Sequence, residues 1–327
     1  MEPIFVSRRF DYSEAISARD EVRPEGGSMH DSGSESSNLS AVERAAALME
    51  QADALIVAAG AGMGVDSGLP DFRGKEGFWR AYPALREARL DFYSVASPAA
   101  FHSLPERAWG FYGHRLALYR KTVPHHGFEF LKRWGSQMFH GLSVFTSNVD
   151  GQFQKAGFDQ SRIHECHGSI HHLQCLEPCH QGIWSADGFQ PDVDEQTCRL
   201  LNPTPFCPHC GGLARPNVLM FGDGGWVDRR SAAQGYRQDA WLSAVTRPVV
   251  IELGAGTAIP SVRHFSQRVI HQYGGRLIRI NPHECDVPTR LDVGLRMGAA
   301  DGLALIANVL GPEWGIPAPG GGEDGRR

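Results

Sequence analysis

The sequence contains no apolar run that approaches the roughly 20 residues needed to span a bilayer. Its first residues also lack the apolar core of a secretion signal, because Arg8, Arg9, Asp11 and Glu14 interrupt them. There is no excess of positive charge either, since the formal net charge is −5, which argues against a polyanion as partner. These absences predict a cytoplasmic protein that binds neither membranes nor nucleic acids.

The cysteine content does not suit a disulfide framework, because the seven cysteines are an odd number and four of them form two close pairs. This pattern favours thiolates bound to a metal in a reducing compartment. With 42% hydrophobic residues among 327, the chain can bury a substantial core. Its length is suited to one large domain that carries a smaller module.

The two ends of the chain are rich in glycine and polar residues. Residues 23–38 are largely Gly, Ser and acidic, so they cannot bury enough apolar surface to become ordered. We therefore predict a disordered extension at 1–38, a folded domain at 39–312 and a flexible tail at 313–327. A capping box formed by Ser40 and Glu43 predicts that the first helix of the domain begins at Ser40.

Four continuous apolar runs predict strands that are buried on both faces, as in a parallel sheet. Each run is followed by residues suited to ligand contact, and ligands of open doubly wound sheets bind at the carboxyl ends of the strands. We therefore predict an α/β fold with a Rossmann-like, doubly wound parallel sheet and a dinucleotide-sized crevice. The four runs are 54–59, 142–145, 248–253 and 276–280.

Two segments look like insertions that form a smaller zinc-binding and helical domain beside this sheet. The first, at about 75–134, is rich in aromatic residues and has a helical pattern, and the second, at 168–215, contains the paired cysteines. The crevice between the two domains is the natural place for a substrate.

The cysteine pairs have the spacing of two knuckles that hold one tetrahedral Zn²⁺. Cys175 and Cys179 are separated by three residues, Cys207 and Cys210 by two, and 27 residues lie between the pairs. Four thiolates leave no open coordination position, so the predicted ion is structural. The alternative ligands nearby are Cys198, His180 and His209.

The first strand ends in a glycine loop, Gly60-Ala61-Gly62, which would let backbone amides approach a diphosphate because glycine has no Cβ. A simple tight turn is the alternative interpretation. After the second strand, Asn148 and Asp150 lie two residues apart, so an extended backbone would point both side chains to one side. They could hold an amide, a ribose hydroxyl and a water, or they could only cap a turn.

Taken together, these motifs resemble the sirtuins. The resemblance is carried by the glycine loop, by Asp71-Phe72-Arg73, by Thr146-Ser147-Asn148-Val149-Asp150 and by His167-Gly168. It implies NAD as co-substrate, with His167, Asn148 and Asp150 as catalytic residues and His167 as general base, a role that a neutral imidazole can fill. The cofactor-binding residues that it implies are Gly60, Ala61, Gly62, Asp71, Phe72, Arg73, Ser147, Asn148, Asp150, Gly254, Gly256, Thr257 and Asn281.

The resemblance also suggests how an acylated substrate would be recognised. The segment that contains Val218 and Phe221 is similar to the one that pairs with an acyl-lysine peptide by strand addition. Tyr112 and Arg115, three residues apart on a predicted helix, resemble the Tyr-x-x-Arg of sirtuins that remove succinyl, malonyl and glutaryl groups. A solvated arginine beside a core tyrosine is the alternative.

The activity that the resemblance implies is NAD-dependent deacylation of protein lysine, with nicotinamide and O-acyl-ADP-ribose as products. The acyl group would be acetyl, succinyl or malonyl, and the partner an acylated protein or peptide. The segment 252–260 departs from the usual Gly-Thr-Ser and resembles an atypical bacterial branch that includes ADP-ribosyltransferases. The alternatives are therefore such a transferase or an NAD-sensing module without turnover.

Overall fold

The computed structural model describes residues 34–70 and 74–314, with side chains described in 41–70 and 77–314. Most of the predicted extension and tail lies outside these residues. So do Asp71, Phe72 and Arg73, three of the predicted cofactor-binding residues.

Within the described residues the chain forms eleven strands and eleven α-helices. The strands are β1 (Ala54–Ala59), β2 (Leu142–Thr146), β3 (Ile163–Glu165), β4 (Gly168–Cys175), β5 (Ile183–Ser185), β6 (Val193–Asp194), β7 (Arg199–Leu200), β8 (Ala214–Val218), β9 (Pro248–Leu253), β10 (Arg276–Ile280) and β11 (Val293–Leu295). The helices are α1 (Ser34–Gln51), α2 (Gly74–Ala81), α3 (Pro83–Glu87), α4 (Phe92–Val95), α5 (Pro98–Ser103), α6 (Pro105–Lys121), α7 (Gly127–Gln137), α8 (Gln152–Lys155), α9 (Arg229–Leu242), α10 (Ser261–Tyr273) and α11 (Ala299–Leu310).

The larger domain is built on a six-stranded parallel sheet with the order β11-β10-β9-β1-β2-β3. From β1 the chain adds β2 and β3 on one side and later adds β9, β10 and β11 on the other. The strand order therefore reverses between β1 and β9, and this switch point is where such sheets bind dinucleotides. The predicted doubly wound, Rossmann-like class is confirmed, and the four predicted apolar runs correspond to β1, β2, β9 and β10.

Both faces of this sheet are covered, which explains why its strands are continuously apolar. In β1, Leu55 and Val57 pack in a core shared with α1, α7 and α11, whereas Ile56 and Ala58 pack in a core shared with α9 and α10. Successive side chains of a strand point to opposite faces, so a strand between two helical layers must be apolar at every position.

The smaller domain combines an antiparallel sheet, β5-β4-β8, with the β6–β7 hairpin and helices α2 to α6. It has its own core, which contains buried aromatic residues of α6 such as Trp109 and Phe111. The hairpin packs closely on α6, where a Cβ at Gly110 would lie 2.2 Å from the carbonyl oxygen of Cys198. Glycine at this position lets the two backbones touch.

The structure corrects three predicted boundaries. Helix α1 begins at Ser34, so Ser40 lies inside it and the predicted capping box does not mark its start. Helix α7 belongs to the larger core although the predicted first insertion runs to 134, because its buried aromatic face packs against that sheet. Trp314, in the predicted tail, also packs against the larger core.

In the part of the chain that the structure describes, no helix is long and apolar enough to cross a membrane.

Candidate active site and metal centre

The loops that follow β1 and β9 touch at the switch point of the sheet. The N–H of Gly62 donates to the carbonyl of Gly254, 3.1 Å away, and a Cβ at Gly254 would lie 2.3 Å from Cα of Gly62. Gly254 also has φ +58, in the left-handed region that favours glycine. Side chains at these positions would separate the loops, so glycine is required for this contact.

The loop after β2 joins the same cluster through its polar residues. Asn148 Nδ2 donates to the carbonyl of Gly60 over 3.0 Å, and Thr146 Oγ1 bonds to both Ala59 O and Asn148 N. Ser147 N donates to Ala59 O over 3.1 Å. The predicted residues Asn148 and Ser147 are thus placed directly beside the glycine loop.

His167 lies next to this loop, between β3 and β4. Its Nε2 is 3.0 Å from Oγ of Ser261 at the start of α10, and its ring also hydrogen-bonds the backbone of Ser147. Burial lowers the pKa of His167 to about 4, an effect that the bond to Ser147 partly offsets. The imidazole is therefore neutral near pH 7 and able to accept a proton.

Asp150 is the second buried titratable group of the cluster. Burial raises the pKa of this carboxyl to about 6, and the nearby Glu165 contributes in the same direction. The N–H of Gln152 donates to its Oδ1 over 2.9 Å, which opposes the shift because it favours the ionised form. An imidazole and a carboxyl group thus lie at one edge of the sheet, and burial lowers the pKa of His167 and raises the pKa of Asp150.

Two predicted cofactor-binding side chains are engaged in holding the loop after β9. Asn281 is buried, and its Nδ2 donates to Ala255 O while its Oδ1 accepts from the backbone of residues 283 and 284. Thr257 is exposed and donates to Glu284 Oε1 over 2.9 Å. Asn281 therefore contributes to the shape of the loop rather than presenting its amide to solvent, whereas Gly256 and Thr257 are accessible.

Tyr112 and Arg115 lie on one side of α6 within a group of tyrosines. Tyr112 is 1% exposed, and burial raises the pKa of its hydroxyl. The Nε and Nη2 atoms of Arg115 donate to the hydroxyl oxygen of Tyr119 over 2.8 and 2.6 Å. The guanidinium also interacts electrostatically with Asp150, so this part of α6 faces the strand-end cluster.

The segment after β8 runs alongside His167. Val218 pairs with Gly168 in the antiparallel sheet, and Leu219 N donates to the carbonyl of His167 over 2.9 Å. Phe221 is held by a bond from its N–H to Ala96 O and by its ring, which lies 4.3 Å from that of Tyr93. Val218 is thus placed beside the histidine, whereas Phe221 packs against the segment that contains Tyr93 and Ala96.

The four predicted zinc ligands form one cluster. All four Sγ atoms lie within 4.8 Å of one another, and those of Cys175 and Cys210, and of Cys179 and Cys207, are 3.7 Å apart. A tetrahedron of sulfurs about 2.3 Å from a central ion has edges close to this length. Cys198 is buried in the core of the smaller domain instead, so it is not part of the cluster.

Comparison with known proteins decides the family. Residues 60–239, more than half of the chain, match the family model described as the Sir2 family. The chain belongs to the Sir2 family.

Several curated relatives are similar to this Sir2 protein over most of their length. The NAD-dependent protein deacylase 2 of Corynebacterium efficiens is 31% identical over 273 residues, which cover 83% of this chain and 98% of the relative. The NAD-dependent protein deacylase of Aquifex aeolicus is 28% identical over 261 residues, covering 80% and 97%. The sirtuin resemblance predicted from the motifs is confirmed.

Solved structures share the fold of this Sir2 protein. A Sir2 homologue crystallised with NAD superimposes with a TM-score of 0.57 at 24% identity, covering 82% of this chain and 93% of the homologue. Another Sir2 enzyme gives a TM-score of 0.59 at 23% identity, covering 83% and 98%.

The structure also reveals three residues near the Sir2 site that the sequence prediction missed. Ser261 lies against His167, Glu284 accepts from Thr257, and His171 hydrogen-bonds the carbonyl of Asp150 over 2.9 Å. No local spacing signals these contacts, because each joins segments that are distant in the chain or separated by a strand irregularity.

Proposed function

We propose that this Sir2-family protein is an NAD-dependent protein-lysine deacylase. The acyl group passes from the lysine nitrogen to a ribose hydroxyl of NAD as nicotinamide leaves, and one water is consumed, so that the products are free lysine, nicotinamide and O-acyl-ADP-ribose. The observation that carries the proposal is the convergence of Asn148, Asp150 and His167 beside the glycine contact at the switch point of the sheet. The relatives named as NAD-dependent deacylases support it.

The loops at the switch point suit a dinucleotide. The close contact of Gly60 and Gly62 with Gly254 keeps side chains out of the place where β1 ends, while Ala61 and Gly256 remain exposed. Backbone groups there can approach a diphosphate without obstruction. Asn148 and Asp150 would hold the nicotinamide ribose, and Thr257 would contact the other end of the nucleotide.

His167 acts as general base in this proposal. Its neutral state near pH 7 leaves a ring nitrogen able to take a proton from a ribose hydroxyl. Hydrogen bonds to the Ser147 backbone and to Ser261 Oγ orient the ring, and in this proposal the ribose hydroxyl replaces Ser261 as the donor to Nε2. A base that is held and neutral needs no prior deprotonation at working pH.

A structural zinc ion fits the four-cysteine cluster and would hold the smaller domain together. The cluster ties the end of β4 to the segment before β8, and β4 with β8 forms the sheet edge beside His167. An acyl-lysine peptide would add to the segment at Val218 and Phe221 by main-chain bonds. The zinc ion would therefore contribute to substrate binding by holding β4 and β8 in the shape to which the peptide adds.

The acyl group that we propose carries a carboxylate, as in succinyl-lysine. The Arg115 guanidinium is held in position by the Tyr119 hydroxyl, lies beside Tyr112 and faces the Asp150 cluster. A fixed guanidinium can bind a planar carboxylate by two parallel bonds.

The test is mass spectrometry of the protein incubated with NAD and a mixture of acetyl-lysine and succinyl-lysine peptides. We expect O-succinyl-ADP-ribose, lost in His167→Ala, and a roughly 10- to 100-fold lower kcat/KM for the succinyl peptide in Arg115→Met. Arg120→Met is the matched control, because Arg120 is on the same helix but bonds to the carbonyls of Ala186 and Phe189.

Each other outcome identifies which part of the proposal fails. Removal of acetyl but not succinyl groups would contradict the carboxylate preference. If the peptides remain acylated while a protein gains the mass of ADP-ribose, the result would instead support the transferase. If NAD is not consumed, the result would support the NAD-sensing module.

A further inference from the structure

Strand β4 contains an irregularity directly after the catalytic histidine. Ser169 pairs with Asn217 and Leu173 pairs with Pro216, so β4 advances four residues while β8 advances one. The intervening residues 170–172 include His171 and His172. Bulges of this kind turn side chains away from the regular alternation and are frequent beside active sites.

The irregularity directs His171 to the loop that carries Asp150. Nε2 of His171 lies 2.9 Å from the carbonyl oxygen of Asp150. Because a carbonyl can only accept, Nε2 carries the hydrogen and donates it. The ring also covers Gly151, which has φ +71 and where a Cβ would lie 2.7 Å from Cδ2 of His171.

This bond is the last of a series that joins the loop after β2 to the segment 166–171. Cys166 N donates to Thr146 O over 2.9 Å, and Ile170 N donates to Val149 O over 3.0 Å. His171 continues the series with its side chain, since its ring reaches the next carbonyl along the loop. The chain turns at Gly151, directly after the Asp150 carbonyl, so the bond from His171 is the last one of this series that can hold Asp150.

The carboxyl group of Asp150 depends on the same turn. Its Oδ1 accepts from the N–H of Gln152, two residues further on and beyond the left-handed Gly151. Movement of the Asp150 carbonyl would rotate the peptide plane between Asp150 and Gly151 and displace the Gln152 amide. The orientation of the carboxylate is thus linked to the carbonyl that His171 holds.

We propose that His171 is a positioning residue that holds the Asp150–Gly151 turn and thereby aims the Asp150 carboxylate at the nucleotide site. Its kinetic consequence depends on the proposed function, whereas its effect on the turn does not. The neighbouring His172 differs from His171, because its Nδ1 is buried with no hydrogen-bond partner among the described residues.

The experiment compares His171→Met with His171→Gln. The two side chains have similar length and volume, but only glutamine offers an N–H donor. Hydrogen exchange at the Gln152 amide, measured by NMR, reports the turn, and KM for NAD with kcat reports the site. His164→Met is the matched control, since His164 is also a half-buried histidine but bonds to Gln238 of α9.

In the methionine variant we expect the Gln152 amide to exchange about tenfold faster and KM for NAD to rise by a similar factor. Such a factor corresponds to losing the net free energy of one hydrogen bond. The glutamine variant should stay within about threefold of the native protein in both readouts, and the control should match the native protein.

Equal behaviour of the methionine and glutamine variants would overturn the proposal. So would loss of the whole fold in His171→Met, because His171 would then be a general determinant of stability. If the native protein consumes no NAD, the proposed function fails, but the exchange measurement still tests the positioning role of His171.

Discussion

The metal centre and the nucleotide site of this protein are specified in different ways. The zinc cluster takes its four ligands from two short knuckles, and the two cysteines of each knuckle are separated by only two or three residues. The nucleotide site takes its residues from the ends of separate strands, from Gly60 to Gly254 and beyond. Local spacing is therefore enough to recognise the first site, whereas the second exists only where the parallel sheet brings its strand ends together.

The two sites also differ in their surroundings. The cysteines alternate between buried and exposed positions at the margin of the smaller domain, whereas Asp150 is 8% exposed and its pKa is raised by burial. An ionised carboxyl in such a place destabilises the fold, because burial removes its hydration. A bound zinc ion would stabilise the smaller domain, whereas burial of Asp150 lowers the stability of the fold at pH values where its carboxyl is ionised.

The largest expected effect comes from the metal centre. In Cys207→Ser we expect loss of stoichiometric zinc, measured by elemental analysis, and fast hydrogen exchange through residues 168–218, because a structural zinc site can supply on the order of 10 kcal/mol. Cys285→Ser is the control, since Cys285 is not part of the cluster. Normal exchange protection in zinc-free Cys207→Ser would show that this module folds without the ion.

A smaller effect is expected where the two loops of the nucleotide site touch. Gly254→Ala places a methyl group 2.3 Å from backbone atoms at a left-handed position, so it should lower the free energy of unfolding by about 2–5 kcal/mol. Urea denaturation measures this change.

Gly256→Ala, in the same loop as Gly254, is the matched control for stability. The nearest atom to a Cβ at Gly256 is Glu284 Oε2, 3.9 Å away. If the two alanine variants were equally stable, the contact between the loops would not constrain the site.

The smallest expected effect has the opposite sign. The pKa of Asp150 is raised from 3.8 to about 6 by folding, so native protein binds the proton more tightly than unfolded protein, and its stability falls as pH rises through this range. Asp150→Asn should therefore stabilise the protein by about 2–3 kcal/mol at pH 8.

This gain should shrink as the pH falls below 6, because the native carboxyl then takes up its proton. Urea denaturation at pH 8 and pH 5, with zinc content verified, measures the change, and the exposed Asp187→Asn is the control. A gain that is the same at both pH values would exclude ionisation of Asp150 as its cause.

Much of the fold was predictable because its strands are buried on both faces. An apolar run such as 248–253 predicts a parallel strand without knowledge of its neighbours, and β9 has these bounds. Helix α1 was harder, because a polar segment favours the interpretation that the helix starts at Ser40, yet the helix continues back to Ser34. Capping signals are local, and helical backbone can extend past them.

In the site, residue type was predictable but the task of each side chain was not. Asn281 follows a strand end as a ligand-binding residue would, but its amide is used to hold the loop at Ala255. Ser261 and His171 have no motif of their own, and only the approach of α10 and the irregularity of β4 bring them to His167 and Asp150.

The sequence by itself determined the parallel sheet, the zinc ligands and the family, because periodicity, short spacing and motif order are properties of neighbouring residues. The tertiary structure alone decided that Gly62 touches Gly254, that burial changes the pKa values of His167 and Asp150, and that His171 holds the Asp150 turn. Contact and desolvation depend on what the folded chain brings near a group, and distant segments supply that environment.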